Sequence, residues 1–250
     1  MSTTYPLLGL LLMAALVQPT GPVLACSPAE FVVAIDIGHS PARPGAVSAR
    51  GVPEFRFNRD LAAVVSAALA DAGFQRPLLI NAAGDIRSLP ERTRAAARGR
   101  AGLFLSIHHD SVQPRYLSTW TPDGVARAYS DRFRGFSLFV SAKNARFGPS
   151  RHFAELIGRA LVARGLTPTL HHAEPIPGEH RPLLDAALGL YRYDDLVVLK
   201  GAAMPAVLLE AGVILHRDEE SLLTQDAYQR RIADAIVAAV RDYCAAAPRR

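Results

Sequence analysis

Short apolar, β-branched runs alternate with helix-periodic segments between residues 31 and 107, and no other feature narrows the choice of folds as far. Phe31 to Asp36 is one such run and ends at Gly38. Leu61, Val64, Val65, Ala68, Leu69 and Ala72 then recur at helical spacing, and Gly73 stops the helix. Pro77 to Ile80 reads as a short second strand. Ser88-Leu89-Pro90-Glu91 has the form of a capping box and opens a helix to about Gly99. Leu103 to Ile107 is a third buried strand. Strands separated in this way by helices pair in parallel, through right-handed crossovers. The expected fold is α/β: a single domain with a mostly parallel twisted central sheet, flanked by helices on both faces.

The second half is less regular. Residues 111–135 show no clear period and hold Pro114, Pro122 and Gly124, so they read as an irregular excursion. Phe136 to Val140 is a strand. Ser150 to Arg164 is an amphipathic helix, with Ser150 as its cap and Gly165 as its stop. Residues 166–195, rich in Pro and His, read as a second long loop, and loops this long in a compact domain usually serve function. Val197 to Leu199 and Ala206 to Leu209 are expected strands. Tyr228, Ile232, Ala235, Ile236, Ala239, Val240 and Tyr243 mark a closing helix. No internal repeat is present.

Four segments carry residues able to bind a metal or move a proton. They are Ile35-Asp36-Ile37-Gly38-His39-Ser40; Gly51-Val52-Pro53-Glu54, with Asn58 four residues on; Phe104-Leu105-Ser106-Ile107-His108-His109-Asp110; and Met204-Pro205-Ala206-Val207-Leu208-Leu209-Glu210-Ala211-Gly212. Two imidazoles and one carboxylate suit a hydrolytic zinc ion, which takes three protein ligands and keeps one position for water. A further carboxylate is what such a site needs to move protons. His39 follows a strand and a Gly, a tight turn that presents the imidazole at the C-terminal edge of the sheet. Glu54 opens a helix, where an acid also answers the helix dipole.

His108 and His109 compete, because strand alternation sends them to opposite sides. Asp36 either orients a neighbour or caps the following turn. Glu210 ends an apolar strand, where an unpaired buried carboxylate is costly, so function explains it better than packing. Glu219 and Glu220 read as a solvated face. His171, His172, Glu174, Glu179 and His180 hold metal-ligand types on a loop, where substrate contact is the expectation. No Gly-rich phosphate loop and no G-x-S-x-G elbow is present.

These four segments, in this order, resemble the zinc-dependent N-acetylmuramoyl-L-alanine amidases of bacterial cell walls, the amidase_3 family. That family opens with a strand ending in D-P-G-H-G, follows with G-x-x-E and a helix, then S-I-H-A-N, and closes with m-P-S-V-L-V-E-x-G-F. The resemblance spans roughly residues 31 to 243. It implies His39, Glu54 and His108 as zinc ligands and Glu210 as the catalytic glutamate. It leaves His109, Asp110 and Asp36 as groups that touch substrate or orient the ligands. The implied partners are peptidoglycan or muropeptides, cleaved at the amide between the lactyl group of N-acetylmuramic acid and L-alanine. Arg87 and Arg92 are then candidates for the carboxylates of a stem peptide, or solvated surface residues. Ile37, Ser40, His109-Asp110 and Val213 depart from the family pattern, and none removes a ligand-type residue. Two other readings share the motifs: a zinc peptidase or amidase acting on another amide, and a catalytically silent wall-binding protein.

Composition and termini bear on where such a chain works. The net charge of +5 comes almost wholly from arginine, since Lys143 and Lys200 are the only lysines. That suits an acidic polymer or a membrane face; with no zinc finger, basic helix or aromatic stacking ladder, nothing in the sequence suggests nucleic acid. Leu7 to Val17 is too short to span a bilayer, and small and turn-forming residues follow it to Val23-Leu24-Ala25. Residues 1–25 are expected to be a signal peptide, though without a basic n-region, and 26–250 the zinc amidase catalytic domain, exported to the periplasm or cell envelope. Cys26 and Cys244 are the only cysteines. In an oxidising compartment they are expected to pair. The alternatives are free thiols, or lipidation of Cys26, which would make it a membrane anchor.

Overall fold

The computed structural model describes residue 1, residues 26–75 and residues 77–246. The expected signal peptide lies outside the described residues. The chain begins with β1 (Val33–Ile37), α1 (Glu54–Asp71), β2 (Leu78–Ile80), α2 (Leu89–Arg98) and β3 (Leu103–Asp110). A small antiparallel pair, β4 (Ser118–Trp120) and β5 (Arg127–Tyr129), follows. Then come β6 (Ser137–Val140), α3 (Phe147–Ala163), β7 (Leu183–Asp185), β8 (Leu190–Arg192), α4 (Val197–Lys200), β9 (Ala206–Val213), α5 (Arg217–Leu223) and α6 (Asp226–Ala246).

The main sheet has seven strands in the order β2-β1-β3-β9-β6-β8-β7. From β2 to β9 all neighbours are parallel, while β6 runs antiparallel to β9 and β7 to β8. Successive side chains along a strand face opposite sides, so one strand feeds two cores. Ile35, Ile37, Leu105, Ile107, Val207 and Leu209 pack with α1, α3 and α6 on one face. Ala34, Phe104, Ala206, Leu208 and Phe139 pack with α2 and α4 on the other. This is the α/β domain with helices on both faces that the alternating pattern predicts.

Four local expectations are corrected. Val197 to Leu199 form a helix, α4, not a strand; three apolar residues carry no period, and Val198 and Leu199 are apolar because they lie on the sheet. The third helix starts at Phe147, and Ser150 lies inside it. There the Ser150 hydroxyl donates to the Arg146 carbonyl and accepts from the Ala206 amide, joining α3 to β9. Ser88 precedes α2, but its side chain makes no capping hydrogen bond. Residues 166–195 are not one loop: β7 and β8 lie within them, and β8 pairs with β6 in the main sheet.

The chain enters at β1, moves outward to β2 and then crosses back to β3 on the other side of β1. The strand order therefore reverses between β1 and β3, and ligands of open α/β sheets bind outside the carboxyl ends of strands at such a reversal. His39 follows β1 and His108 lies near the end of β3.

Candidate metal centre and active site

At this reversal His39, Glu54 and His108 come together. The Glu54 carboxylate stands between the two imidazoles: Oε2 is 2.9 Å from His39 Nε2, and Oε1 is 3.1 Å from His108 Nδ1. One ligand atom from each residue lies within 4.8 Å of the others. Glu54 is held by its backbone position at the start of α1 and by second contacts. Its Oε1 accepts from Asn58 Nδ2 at 3.1 Å and from the His109 amide at 3.2 Å; its Oε2 accepts from the Ala46 amide at 3.1 Å. Burial alone would raise its pKa, but the hydrogen bonds and charge of His108 and His39 hold it well below the usual carboxylate range.

His39 has φ +67°, a left-handed conformation that a non-glycine residue adopts at a cost. Arg92 and Asn81 hold it there. Asn81 Nδ2 donates to the carbonyls of Ile37 (3.0 Å) and His39 (2.8 Å). Buried Arg92 donates to the same two carbonyls and to Asp36 Oδ1 at 3.1 Å. Asp36 also accepts from Ser106 Oγ at 2.8 Å, and burial pushes its carboxyl up against the pull of Arg92. Asp36 thus orients a neighbour, and Arg92 is neither a surface residue nor open to substrate. Its role was hidden in the sequence because Asp36, Ile37 and His39, which it holds, lie more than fifty residues away.

His109 points to the opposite side of β3 from His108, as alternation requires. It is buried, its Nδ1 is 2.8 Å from Asn58 Oδ1, and burial lowers its pKa to about 4. It props Asn58, which in turn props Glu54.

Glycines make room for the group. A Cβ on Gly38 would overlap the His108 ring, and one on Gly45, at φ +79°, would overlap Glu54 and His39. The donor set, its ionised carboxylate and this glycine cradle fit a zinc-sized cation. Glu210 stands opposite His108 in the β3–β9 register. Its Oε2 is buried with no hydrogen-bond partner among the described residues. Burial, with the charges of Asp110 and Glu54, raises its pKa well above the ordinary value.

Beside Glu210 opens a cleft of about 450 Å³, lined in part by Asp110, His172, Glu179, Arg181 and Tyr193. Asp110 Oδ2 is 2.7 Å from His172 Nε2, and His172 Nδ1 is 2.8 Å from Glu179 Oε2. Burial would lower the His172 pKa, but these two carboxylates carry it up to about 9. The loop histidines therefore join the end of β3. Glu219 and Glu220, expected on a solvated face, are buried: Glu219 accepts from the amides of Gly135 and Val213, and Glu220 from Arg50.

An open α/β sheet with a two-histidine, one-carboxylate group at its reversal, and a partnerless carboxylate on the adjoining strand, has the make-up of a hydrolase. Residues 33–242 match the family model of N-acetylmuramoyl-L-alanine amidases (Amidase_3), and the chain belongs to that family. It is 26% identical over 234 residues to a Haemophilus influenzae protein named probable N-acetylmuramoyl-L-alanine amidase AmiB. That match covers 82% of this chain and 50% of that protein, so the chain spans half the length of that relative. It is 27% identical over 228 residues to the N-acetylmuramoyl-L-alanine amidase AmiA of Escherichia coli, covering 85% of this chain and 75% of that one. Among solved structures, the catalytic domain of CwlV, an N-acetylmuramoyl-L-alanine amidase from Bacillus (Paenibacillus) polymyxa var. colistinus, superposes with a TM-score of 0.64. It is 25% identical, over 85% of this chain and 97% of that chain. Ami1 of Mycobacterium smegmatis, at 24% identity and a TM-score of 0.66, shares the fold over 87% of this chain and 98% of that chain.

Proposed function

We propose that the protein is an exported zinc hydrolase that cleaves the amide between N-acetylmuramic acid and L-alanine of the peptidoglycan stem peptide. One observation carries this reading: donor atoms of His39, Glu54 and His108 converge at the sheet reversal, across the strand register from the unpartnered carboxylate oxygen of Glu210. The names of the relatives supply the substrate. The zinc ligands are His39, Glu54 and His108, and the expected domain runs over residues 26–250. When bound, zinc supplies Lewis acidity that activates water near neutral pH and polarises a carbonyl.

The other steps belong to the chain's own residues. Asn58, the His109 amide and the Ala46 amide keep the Glu54 carboxylate fixed between the two imidazoles. Arg92 and Asn81 hold the strained turn that presents His39. Glu210 accepts the proton of the attacking water and returns a proton to the leaving amine. The net charge of +5 suits an anionic wall polymer. Export places the enzyme with that polymer and gives Cys26 and Cys244 an oxidising compartment.

The test is mass analysis of the products released from purified peptidoglycan, together with zinc content. Release of intact stem peptides with L-alanine at the amino terminus supports the reading. Cleavage within the stem peptide would make the protein a peptidase, and undegraded sacculi would make it a wall-binding protein.

A further inference from the structure

A second group of donors converges at the end of β3, beside the cleft that holds Glu210. Asp110 ends β3, while His171 and His172 form a single helical turn within residues 166–195. Asp110 Oδ2 lies 2.7 Å from His172 Nε2 and 3.4 Å from His171 Nε2. One ligand atom from each of the three lies within 4.8 Å of the others. This repeats the pattern of the first group, where one carboxylate stands between two ring nitrogens.

The other nitrogen of each ring is already engaged. His171 Nδ1 is 2.9 Å from Thr169 Oγ1, and His172 Nδ1 is 2.8 Å from Glu179 Oε2. Glu179 is itself fixed by Gln113 Nε2 at 2.6 Å. An oxygen partner on the far nitrogen is the arrangement that orients a metal-binding imidazole and sets its tautomer. His171 supplies an independent sign. Its side chain is 2% exposed, stacked on Phe133, and its Nε2 has no hydrogen-bond partner among the described residues although it faces Asp110. A buried ring nitrogen without a partner is costly in a protein interior. A cation between Nε2 and Oδ2 satisfies it.

We propose that Asp110, His171 and His172 form a second site for a first-row divalent cation such as zinc. The two imidazoles, borderline nitrogen donors, suit that class of ion rather than calcium or magnesium, which take oxygen ligands throughout. Three protein donors leave a coordination position for an oxygen ligand. Asp110 and His172 both line the cleft that holds Glu210. The cation ties the helical turn of residues 171–173 to the end of β3 and sets positive charge on the wall of that cleft.

The experiment uses the full mature chain, stripped with chelator, reloaded with zinc or with Co²⁺, dialysed and analysed for metal. The wild type should hold two equivalents. His39→Ala should hold one, as should His171→Ala and, separately, Asp110→Asn, which preserves side-chain size. The Co²⁺ visible spectrum of His39→Ala should vanish when His171→Ala is added, and cooperative thermal unfolding of each variant establishes that it is folded. A wild type that binds one equivalent, lost in His39→Ala and retained in both His171→Ala and Asp110→Asn, overturns the second site and leaves the first intact. Metal lost in the second pair but retained in His39→Ala supports the second site and removes the first. An imidazolium of His172 bridging Asp110 and Glu179 without metal would give the former result.

Discussion

Glu210 is a carboxylate within an otherwise apolar strand, β9, and its Oε2 is buried and unpartnered among the described residues. Replacing it with Gln keeps the size and removes the base. Glu210→Gln should retain zinc and cooperative unfolding while its rate on sacculi falls by about 10²–10⁴-fold, the range for loss of a general acid–base. Near-normal turnover would take Glu210 out of the chemistry. His39→Ala should instead lose the first-site metal and with it nearly all activity; full first-site occupancy by metal analysis would remove His39 from the ligand set. Both residues stood out because each sits in its own short context, Gly-His after the end of an apolar strand or Glu-Ala-Gly within one. Arg92 and Asn81 did not. Their work is to hold carbonyls of Ile37 and His39, and nothing near them in the chain announces partners brought in by the fold.

At the scale of elements, α5 shows how context overrides pattern. Glu219 follows Asp218 in a polar first turn, which reads as solvated. In the fold it is buried and accepts from the Gly135 amide at 2.9 Å and the Val213 amide at 2.8 Å, tying α5 to the end of β9 and to the segment before β6. Burial raises its pKa despite those donors. The sign follows. Below the ordinary carboxyl pKa of about 4.3 both folded and unfolded states hold the proton and this contribution is full. As pH rises, the unfolded chain ionises first, and stability is lost until pH passes the folded pKa. Glu219→Gln should remove that downward slope, read from unfolding free energies across pH for the two proteins. Parallel curves would show that Glu219 titrates normally. The same limitation affects α4, whose three apolar residues gave no period, and residues 166–195, where β7 and β8 are too short to stand out from Pro and His.

At the scale of the whole molecule, a disulfide closes the described part of the chain. Cys26 and Cys244 are joined in a disulfide with Cα atoms 5.1 Å apart, and the Cys26 amide donates to the Cys244 carbonyl at 3.0 Å. The bridge spans 218 residues. In the chain-entropy model a ring of this size restricts the unfolded state by roughly 5 kcal/mol, an upper figure because denatured-state structure reduces it. Cys244→Ser, or reduction of the wild type, should therefore lower unfolding stability by up to about 5 kcal/mol, seen as a lower denaturant midpoint. An unchanged midpoint would show that the bridge does not form in the protein in solution. Intact mass with a lipid-sized excess would instead assign Cys26 to a membrane anchor.

The sequence by itself determined the layers and marked the segments that carry the candidate site. Hydrophobic period is a local property, so alternating strands and helices, their parallel pairing and the four segments bearing His39, Glu54, His108 and Glu210 could all be read along the chain. The tertiary structure decided what depends on neighbours remote in sequence. It chose His108 over His109 as Glu54's partner at the centre, because the pleat sends one toward His39 and the other toward Asn58. It buried Arg92, Glu219 and Glu220 by giving them partners. It also brought His171 and His172 from the middle of an unpatterned segment to Asp110 on β3, with Thr167 and Thr169 just before them hydrogen-bonded to the Phe136 backbone ahead of β6. Burial and charge pairing are properties of the assembled core, and no local window of the chain contains them.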